Sequence, residues 1–160
     1  MKIRNAAVAG AGALGTLYGS LIGKALGWDA VRIVTDPERA ARYRRDGVLC
    51  NGEACGFSYF DGTGTAEPAD LVIFAVKFGG LARAMEEAAP LIDGHTVILS
   101  VMNGVTSEEI LAERFGGARV LLCTAPGRRR SRRQSGTSSP ARASPVSSRR
   151  ICPSACGRSS

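Results

Sequence analysis

A glycine-rich turn directly after a short apolar run constrains this chain more than any other feature. Residues 10–15 read Gly-Ala-Gly-Ala-Leu-Gly; they follow Ala6-Ala7-Val8-Ala9 and open a stretch with helical spacing. In such a motif the first glycine permits a tight turn, the second lets the backbone approach a pyrophosphate, and the third lets helix and strand pack closely. The start of the helix offers free N–H groups to phosphates. The pattern predicts a dinucleotide-binding turn, and the alternative is a turn whose glycines serve only the fold.

Strands and helices alternate over the first 125 residues. Unbroken apolar character marks Leu71–Val76 as a strand buried on both of its faces. The other predicted strands are 4–9, 30–35, 96–101 and 120–124, and the predicted helices are 12–26, 81–91 and 106–115, with one more starting at Asp36-Pro37-Glu38. The alternation predicts an α/β fold with a Rossmann-like, doubly wound parallel sheet.

Local signals place the ends of several elements. Asp36 is the expected cap of its helix, with Pro37 at the first helical position, and Gly27 is expected to end the first helix. Thr106-Ser107-Glu108-Glu109 is a capping-box pattern. Residues 48–60 contain short β-like pieces around Asn51-Gly52, which predict a small hairpin of unassigned register. The first helix is expected to be amphipathic, with its large apolar residues at helical spacing: Leu14, Leu17, Tyr18, Leu21, Ile22 and Leu26.

Charge divides the chain into two parts. The net charge of +7 and the pI of about 9.6 would suit a protein that binds nucleic acid. However, residues 1–125 hold all 14 acidic residues and 12 of the 21 Lys and Arg residues, a net −2, whereas residues 126–160 hold nine Arg and no acid, a net +9. We therefore expect a dinucleotide-binding domain over 1–125 and a disordered, low-complexity tail over 126–160.

The Arg/Ser-rich tail has two interpretations. It contains ten Ser, nine Arg and four Pro and no Leu, Phe, Asp, Glu or Lys, so it offers nothing from which to build a core. One interpretation is an arm that contacts nucleic-acid phosphates without sequence preference. The other, which we favour, is a frameshift product, because these residue types dominate when a GC-rich coding sequence is read in the wrong frame. We accordingly expect no nucleic-acid partner.

The remaining composition argues against other classes of protein. Five cysteines, without paired Cys-x-x-Cys spacing and far in sequence from the single His95, predict neither a zinc site nor a disulfide framework. Glycines interrupt the apolar N-terminal stretch, and no apolar run reaches the length of a membrane span. The expectation is a reduced, cytoplasmic chain with no metal and no membrane contact.

Residues that follow the predicted strands are the candidate ligand contacts, because ligands of open α/β sheets bind beyond the carboxyl ends of the strands. Thr35 and Asp36 follow the second strand, where a carboxylate can bind a ribose and so favour NAD, or can merely cap the helix. Arg39, one turn on, could instead neutralise a 2′-phosphate or remain solvated. Lys77 follows Leu71–Val76, and Asn103 follows 96–101, where an amide could hold a substrate carbonyl or a nicotinamide.

These motifs, in this order, resemble the N-terminal domain of the ketopantoate reductase (2-dehydropantoate 2-reductase) family. The resemblance covers about residues 1–125 and rests on Gly10 to Gly15, on Ala75-Val76-Lys77 and on Asn103-Gly104. It implies an oxidoreductase of pantothenate biosynthesis that reduces the oxo acid ketopantoate with hydride from NADPH. It further implies cofactor contacts at Gly10, Ala11, Gly12, Ala13, Leu14, Gly15, Lys77 and Asn103, with Asn103 also near the substrate. Thr35 and Asp36, from their position after the second strand, complete the predicted cofactor contacts.

Two departures from the family pattern matter. NADP-preferring members often carry Arg near the position of Thr35, so Thr35-Asp36 leaves both NADP and NAD open. The catalytic Lys of the family and much of its substrate site lie in a second, helical domain that nothing in residues 126–160 matches. We therefore expect the chain to have no activity alone. A fragment of another 2-hydroxy-acid or 6-phosphogluconate-type dehydrogenase is the further alternative.

Overall fold

A computed structural model describes residues 2–63, 65–102 and 106–121 of the chain. The predictions for Asn103, for the end of the last strand and for the tail at 126–160 lie outside these residues. Within them lie eight strands and four α-helices. The strands are β1 (Ala6–Ala9), β2 (Val31–Val34), β3 (Val48–Cys50), β4 (Glu53–Cys55), β5 (Ser58–Phe60), β6 (Leu71–Phe74), β7 (Val97–Ser100) and β8 (Val120–Leu121). The helices are α1 (Ala13–Leu26), α2 (Pro37–Asp46), α3 (Leu81–Ala88) and α4 (Thr106–Phe115).

Six of the strands form one parallel sheet in the order β5-β2-β1-β6-β7-β8. The central strand β1 pairs with β2 on one side, Ala6 opposite Val31, and with β6 on the other, Ala6 opposite Leu71. From β1 the chain builds the sheet outward to β2 and β5, and from β6 it builds outward to β7 and β8. This is the doubly wound, Rossmann-like arrangement, and the predicted fold class is confirmed.

Apolar side chains cover both faces of the sheet. One cluster includes Phe74 and Ile98 of the strands with Leu81 of α3 and Leu111 of α4. The other includes Val8 and Ile33, against which Tyr18 and Ile22 of α1 pack. The strands of the sheet centre are almost fully buried, which explains their unbroken apolar runs.

The helix α1 faces the sheet with its small residues rather than with its leucines. Its buried residues are small, namely Gly15, Thr16, Gly19, Ser20 and Gly23. Four of the predicted apolar residues are exposed instead: Leu14, Leu17, Leu21 and Leu26. The predicted helix is confirmed, but of its six large residues only Tyr18 and Ile22 pack against the core, because the small residues let the helix lie close to the sheet and to the rings of Trp28 and Phe57.

The segment between α2 and β6 contains the predicted hairpin and one strand that was not predicted. The strands β3 and β4 pair in antiparallel fashion, with Val48 opposite Cys55, around a turn in which Asn51 and Gly52 have positive φ angles. This is the two-residue turn that Asn-Gly favours. The following strand, β5, is three residues long and pairs in parallel with β2 at the edge of the main sheet. The sheet therefore extends one strand further on this side than the alternation indicates.

Candidate functional site

The carboxyl ends of β1, β2 and β6 border a cleft of about 500 Å³. The direction of winding reverses here, between β1 and β6, and open α/β sheets bind ligands at such a point. Residues of the glycine turn, of the two neighbouring strand ends and of α2 and α3 form its walls. They are Gly10, Ala11, Gly12, Val34, Thr35, Asp36, Arg39, Tyr43, Ala75, Val76, Lys77, Gly80, Arg83, Ala84 and Glu87.

The first and third glycines of the turn are required by the fold itself. Gly10 has a φ of +100°, and a Cβ there would lie 2.7 Å from Cγ1 of Val76. A Cβ on Gly15 would lie 1.9 Å from the carbonyl oxygen of Gly10. Because that oxygen belongs to the backbone, no side-chain movement can relieve the clash. These contacts bring α1 close to the end of β1, which is the packing expected of the motif.

Gly12, in contrast, is not required by the packing of the protein. Its backbone is extended, with φ −75° and ψ −175°, and the nearest atom to a Cβ there would be the carbonyl oxygen of Ala75 at 3.9 Å. The missing side chain therefore leaves open space at the cleft rather than avoiding a clash. This space lets a ligand approach the backbone, which is what the second glycine of such a motif does for a pyrophosphate.

The beginning of α1 is open to a ligand. Gly12 is its N-cap and supplies no side-chain hydrogen bond, and the first turn carries no acidic residue. The first backbone N–H groups of the helix thus lack the carboxylate or hydroxyl partner that usually satisfies them. Their direction and the helix dipole both favour an anion.

The six residues of the turn differ in their relation to the cleft. Gly10, Ala11 and Gly12 line it, whereas Ala13 and Leu14 are exposed on the first turn of α1 and Gly15 is buried beneath it. The cleft wall thus includes no side chain of Ala13, Leu14 or Gly15. A ligand at the start of α1 would meet the backbone N–H groups of these residues instead. The exposed fraction of Leu14 is 43%, and its side chain is not part of the cleft wall.

At the end of β2, Thr35 and Asp36 form one wall of the cleft. Thr35 is buried, and its N–H donates a hydrogen bond of 3.0 Å to the carbonyl oxygen of Phe60 in β5. Oδ1 of Asp36 accepts a hydrogen bond of 2.8 Å from the backbone N–H of Arg39, so the predicted helix cap is confirmed. The other carboxylate oxygen, Oδ2, lies 3.4 Å from Nε of Arg39 and 3.9 Å from Nη2 of Arg83.

Three of the cleft residues with polar side chains were not predicted from the sequence, namely Tyr43 of α2 and Arg83 and Glu87 of α3. Nε of Arg83 donates a bond of 2.7 Å to Oε1 of Glu87 one helical turn away. This bond and the charge of Glu87, with a smaller contribution from the charge of Asp36, raise the pKa of the Arg83 guanidinium above its usual range. The i, i+4 spacing of Arg83 and Glu87 could have indicated the ion pair, but nothing in the spacing indicated that α3 faces Asp36.

Lys77 and Asn103 complete the predicted set of contacts. Lys77 is exposed at the mouth of the cleft, directly after the β6 segment, and its carbonyl oxygen accepts a bond of 2.8 Å from the N–H of Gly80. The turn from Lys77 to Gly80 fixes the backbone from which the ammonium group extends. Asn103 lies outside the described residues, so the structure brings together the glycine turn, Thr35, Asp36 and Lys77 only.

The described ranges contain neither a metal-binding cluster nor a membrane-spanning helix. Among those residues no group of three or more His, Cys, Asp or Glu side chains could hold a metal ion. None of the helices there has the length and apolarity needed to cross a membrane. Cys50 and Cys55 of the hairpin are both free thiols.

Comparisons with known proteins agree on one family. The family model described as ketopantoate reductase PanE/ApbA matches residues 6–133. A 2-dehydropantoate 2-reductase from Lactococcus lactis is 29% identical over 111 residues, which cover 65% of this chain and 35% of that protein. The crystal structure of 2-dehydropantoate 2-reductase from Geobacter metallireducens superposes with a TM-score of 0.60 at 29% identity, covering 78% of this chain and 44% of the other.

A likeness of fold alone extends to a D-mandelate dehydrogenase, solved with NADH and anilino(oxo)acetate. That structure superposes with a TM-score of 0.61 at 22% identity, covering 72% of this chain and 39% of the other. The chain therefore spans less than half the length of the relatives it matches.

Proposed function

Because the chain belongs to the ketopantoate reductase PanE/ApbA family, a family of oxidoreductases, we propose that residues 1–125 are the NADPH-binding domain of such an enzyme. The observation that carries the proposal is Gly12. The fold does not need a glycine at this position, whereas a pyrophosphate at the open N-terminus of α1 does. NAD remains the alternative cofactor because of Asp36.

The proposed contacts follow the cleft from one end to the other. The backbone of the turn from Gly10 to Gly15, including Ala11, Ala13 and Leu14, would hold the pyrophosphate, with Gly12 leaving room for it. Thr35 and Asp36 would border the adenosine end of the cofactor, without a hydrogen bond from the ribose to the carboxylate being required. Lys77 would bring its ammonium group to the cofactor, and Asn103 would orient the nicotinamide and the substrate carbonyl.

In this proposal the chemistry is divided between cofactor and protein. When bound, the cofactor supplies a hydride, here to the carbonyl of a small oxo acid such as ketopantoate. The residues of this chain bind, orient and partly enclose it. Reduction of a carbonyl also requires a proton donor at the oxygen, and the family places its catalytic Lys in a second domain. We therefore propose that the 160-residue chain binds the cofactor without turning over substrate.

The experiment that tests the proposal is a fluorescence titration of the chain with NADPH, for the wild type and for Gly12→Asp. An aspartate at the N-cap favours the helix, so the variant should fold at least as well as the wild type. Its carboxylate, however, occupies the anion position and should weaken NADPH binding by about a hundredfold or more, because it displaces and repels the pyrophosphate.

The matched control is Gly94→Asp. A Cβ on Gly94 would also meet nothing within 4 Å, and this glycine is not part of the cleft wall. The control should bind NADPH like the wild type. The proposal is wrong if the wild type binds neither NADPH nor NADH, or if Gly12→Asp and Gly94→Asp bind equally well.

A further inference from the structure

Three side chains meet at the end of the cleft formed by β2, α2 and α3. The carboxylate of Asp36 has an exposed fraction of 17%, while the guanidinium-bearing side chains of Arg39 and Arg83 are 63% and 67% exposed. The two arginines thus approach the same carboxylate from two different helices. This arrangement bears on how the adenosine end of a dinucleotide would be recognised.

The carboxylate of Asp36 is already engaged within the protein. Oδ1 accepts the N–H of Arg39, and Oδ2 faces the guanidinium groups of Arg39 at 3.4 Å and Arg83 at 3.9 Å. A carboxylate that selects NAD accepts hydrogen bonds from ribose hydroxyls and repels a 2′-phosphate. Here the neighbouring cations offset that repulsion, and both oxygens have protein partners.

The arginines, in contrast, retain donors for a ligand. A guanidinium group has five N–H donors, and Arg83 uses its Nε with Glu87. Both arginines line the cleft, and both also line a second hollow that shares Asp36 with the cleft. The same hollow includes Arg42, so three arginines border it against the two acids Asp36 and Glu38. A dianionic phosphate monoester is the group that forked guanidinium donors bind best.

We propose that Arg39 and Arg83 select a 2′-phosphorylated dinucleotide, and that Asp36 anchors the two arginines instead of binding the ribose. This inference rests on the proposed function, since it concerns the same cleft. It extends that function by placing the discrimination between NADPH and NADH on one residue of α2 and one of α3. It also explains how an aspartate after β2 is compatible with a phosphorylated cofactor.

The test is the ratio of the dissociation constants for NADPH and NADH, measured by nicotinamide fluorescence with the full 160-residue chain. Arg83→Gln and Arg39→Gln should each raise the Kd for NADPH about tenfold, as expected for one charge-assisted hydrogen bond, and change the Kd for NADH by less than about twofold. The effect on NADPH should decrease with added salt because both side chains are exposed. Arg45→Gln is the matched control, since Arg45 pairs with Asp46 and does not line the cleft.

Asp36→Asn tests the alternative that the carboxylate binds the ribose. Asparagine still caps α2, so the variant should fold, and its Kd for NADH should stay within about twofold of the wild type. A tenfold weaker binding of NADH to this variant would overturn the inference. So would an Arg83→Gln variant that binds both cofactors as the wild type does, or that loses both equally. If neither cofactor binds to the wild type, the proposed function itself is wrong.

Discussion

Gly10 and Gly15 contact each other across the dinucleotide turn, and the geometry of that contact is set by backbone atoms alone. The carbonyl oxygen of Gly10 occupies the space in which a side chain on Gly15 would begin. Gly12 lies only three residues earlier, yet the position that its own Cβ would take is open space. The glycines of one motif thus separate into two that the fold requires, Gly10 and Gly15, and one that it does not, Gly12.

This separation leads to a prediction for two alanine variants. Gly15→Ala should lower the free energy of unfolding by roughly 2–4 kcal/mol, because a backbone carbonyl 1.9 Å away forces α1 to move. Gly12→Ala should change it by less than about 1 kcal/mol, the cost of losing a glycine N-cap. Urea unfolding followed by circular dichroism measures both. Equal stabilities of the two variants would contradict this explanation of the turn.

At the level of single residues, features that depend on local backbone geometry could be predicted from the sequence. Contacts between side chains of different helices could not. The roles of Gly10 and Gly15 in the turn follow from their spacing, and the cap at Asp36 follows from the Asp-Pro pair. Arg83 is different, since its distance from Asp36 depends on how α3 lies across the sheet. No local pattern encodes that placement.

Among the elements, α1 shows most clearly how tertiary packing overrides a periodic pattern. Its leucines have helical spacing, but its small residues face the sheet, where Gly23 lies against the ring of Trp28 and Gly19 against that of Phe57. Those two rings in turn meet edge to face, with centroids 5.5 Å apart. Aromatic rings supply the volume that leucines would otherwise fill, so the leucines are left on the solvent side.

Two substitutions on opposite faces of α1 test this packing. Gly23→Ala would bring a Cβ within 2.4 Å of Cε3 of Trp28, so it should destabilise the protein by about 1–3 kcal/mol, although the same change in an exposed helix is stabilising. Leu21→Gln should alter stability by no more than about 0.5 kcal/mol, because Leu21 is 57% exposed. Chemical unfolding monitored by Trp28 fluorescence gives both values. A larger loss for Leu21→Gln than for Gly23→Ala would show that the leucine face is the packed one.

The remaining elements were predicted to the extent that their signals are local. The alternation of apolar strands and helices indicated the parallel sheet, and Asn51-Gly52 indicated the hairpin. The strand β5 was missed because Ser58–Phe60 is short and follows the hairpin directly. Its pairing with β2 joins residues far apart in the chain, with Arg32 opposite Ser58, and local periodicity carries no information about such a pair.

At the scale of the whole molecule, the chain is much shorter than the relatives that it matches. The chain covers 35% of the curated relative and 44% of the Geobacter structure. The described residues contain a cleft at the winding reversal of the sheet, bordered by β1, β2, β6 and two helices. We therefore expect binding and turnover to be separable in this protein.

The corresponding prediction concerns the unmodified 160-residue chain. Mixed with NADPH and ketopantoate, it should show no steady oxidation of NADPH at 340 nm, because no proton donor is expected at the substrate oxygen. The full-length 2-dehydropantoate 2-reductase from Geobacter metallireducens, assayed in parallel, serves as the positive control. Steady turnover that scales with the concentration of this chain would refute the prediction.

The position of β1 at the centre of the sheet also has a consequence for the timing of folding on the ribosome. Ala6 pairs with Val31 on one side but with Leu71 on the other, so the second partner is synthesised 65 residues later. At a synthesis rate of roughly 5–20 residues per second, the strand made first waits about 3–13 seconds for that partner. The cleft is lined by the ends of β1, β2 and β6 together, so it cannot form in a nascent chain before β6 emerges.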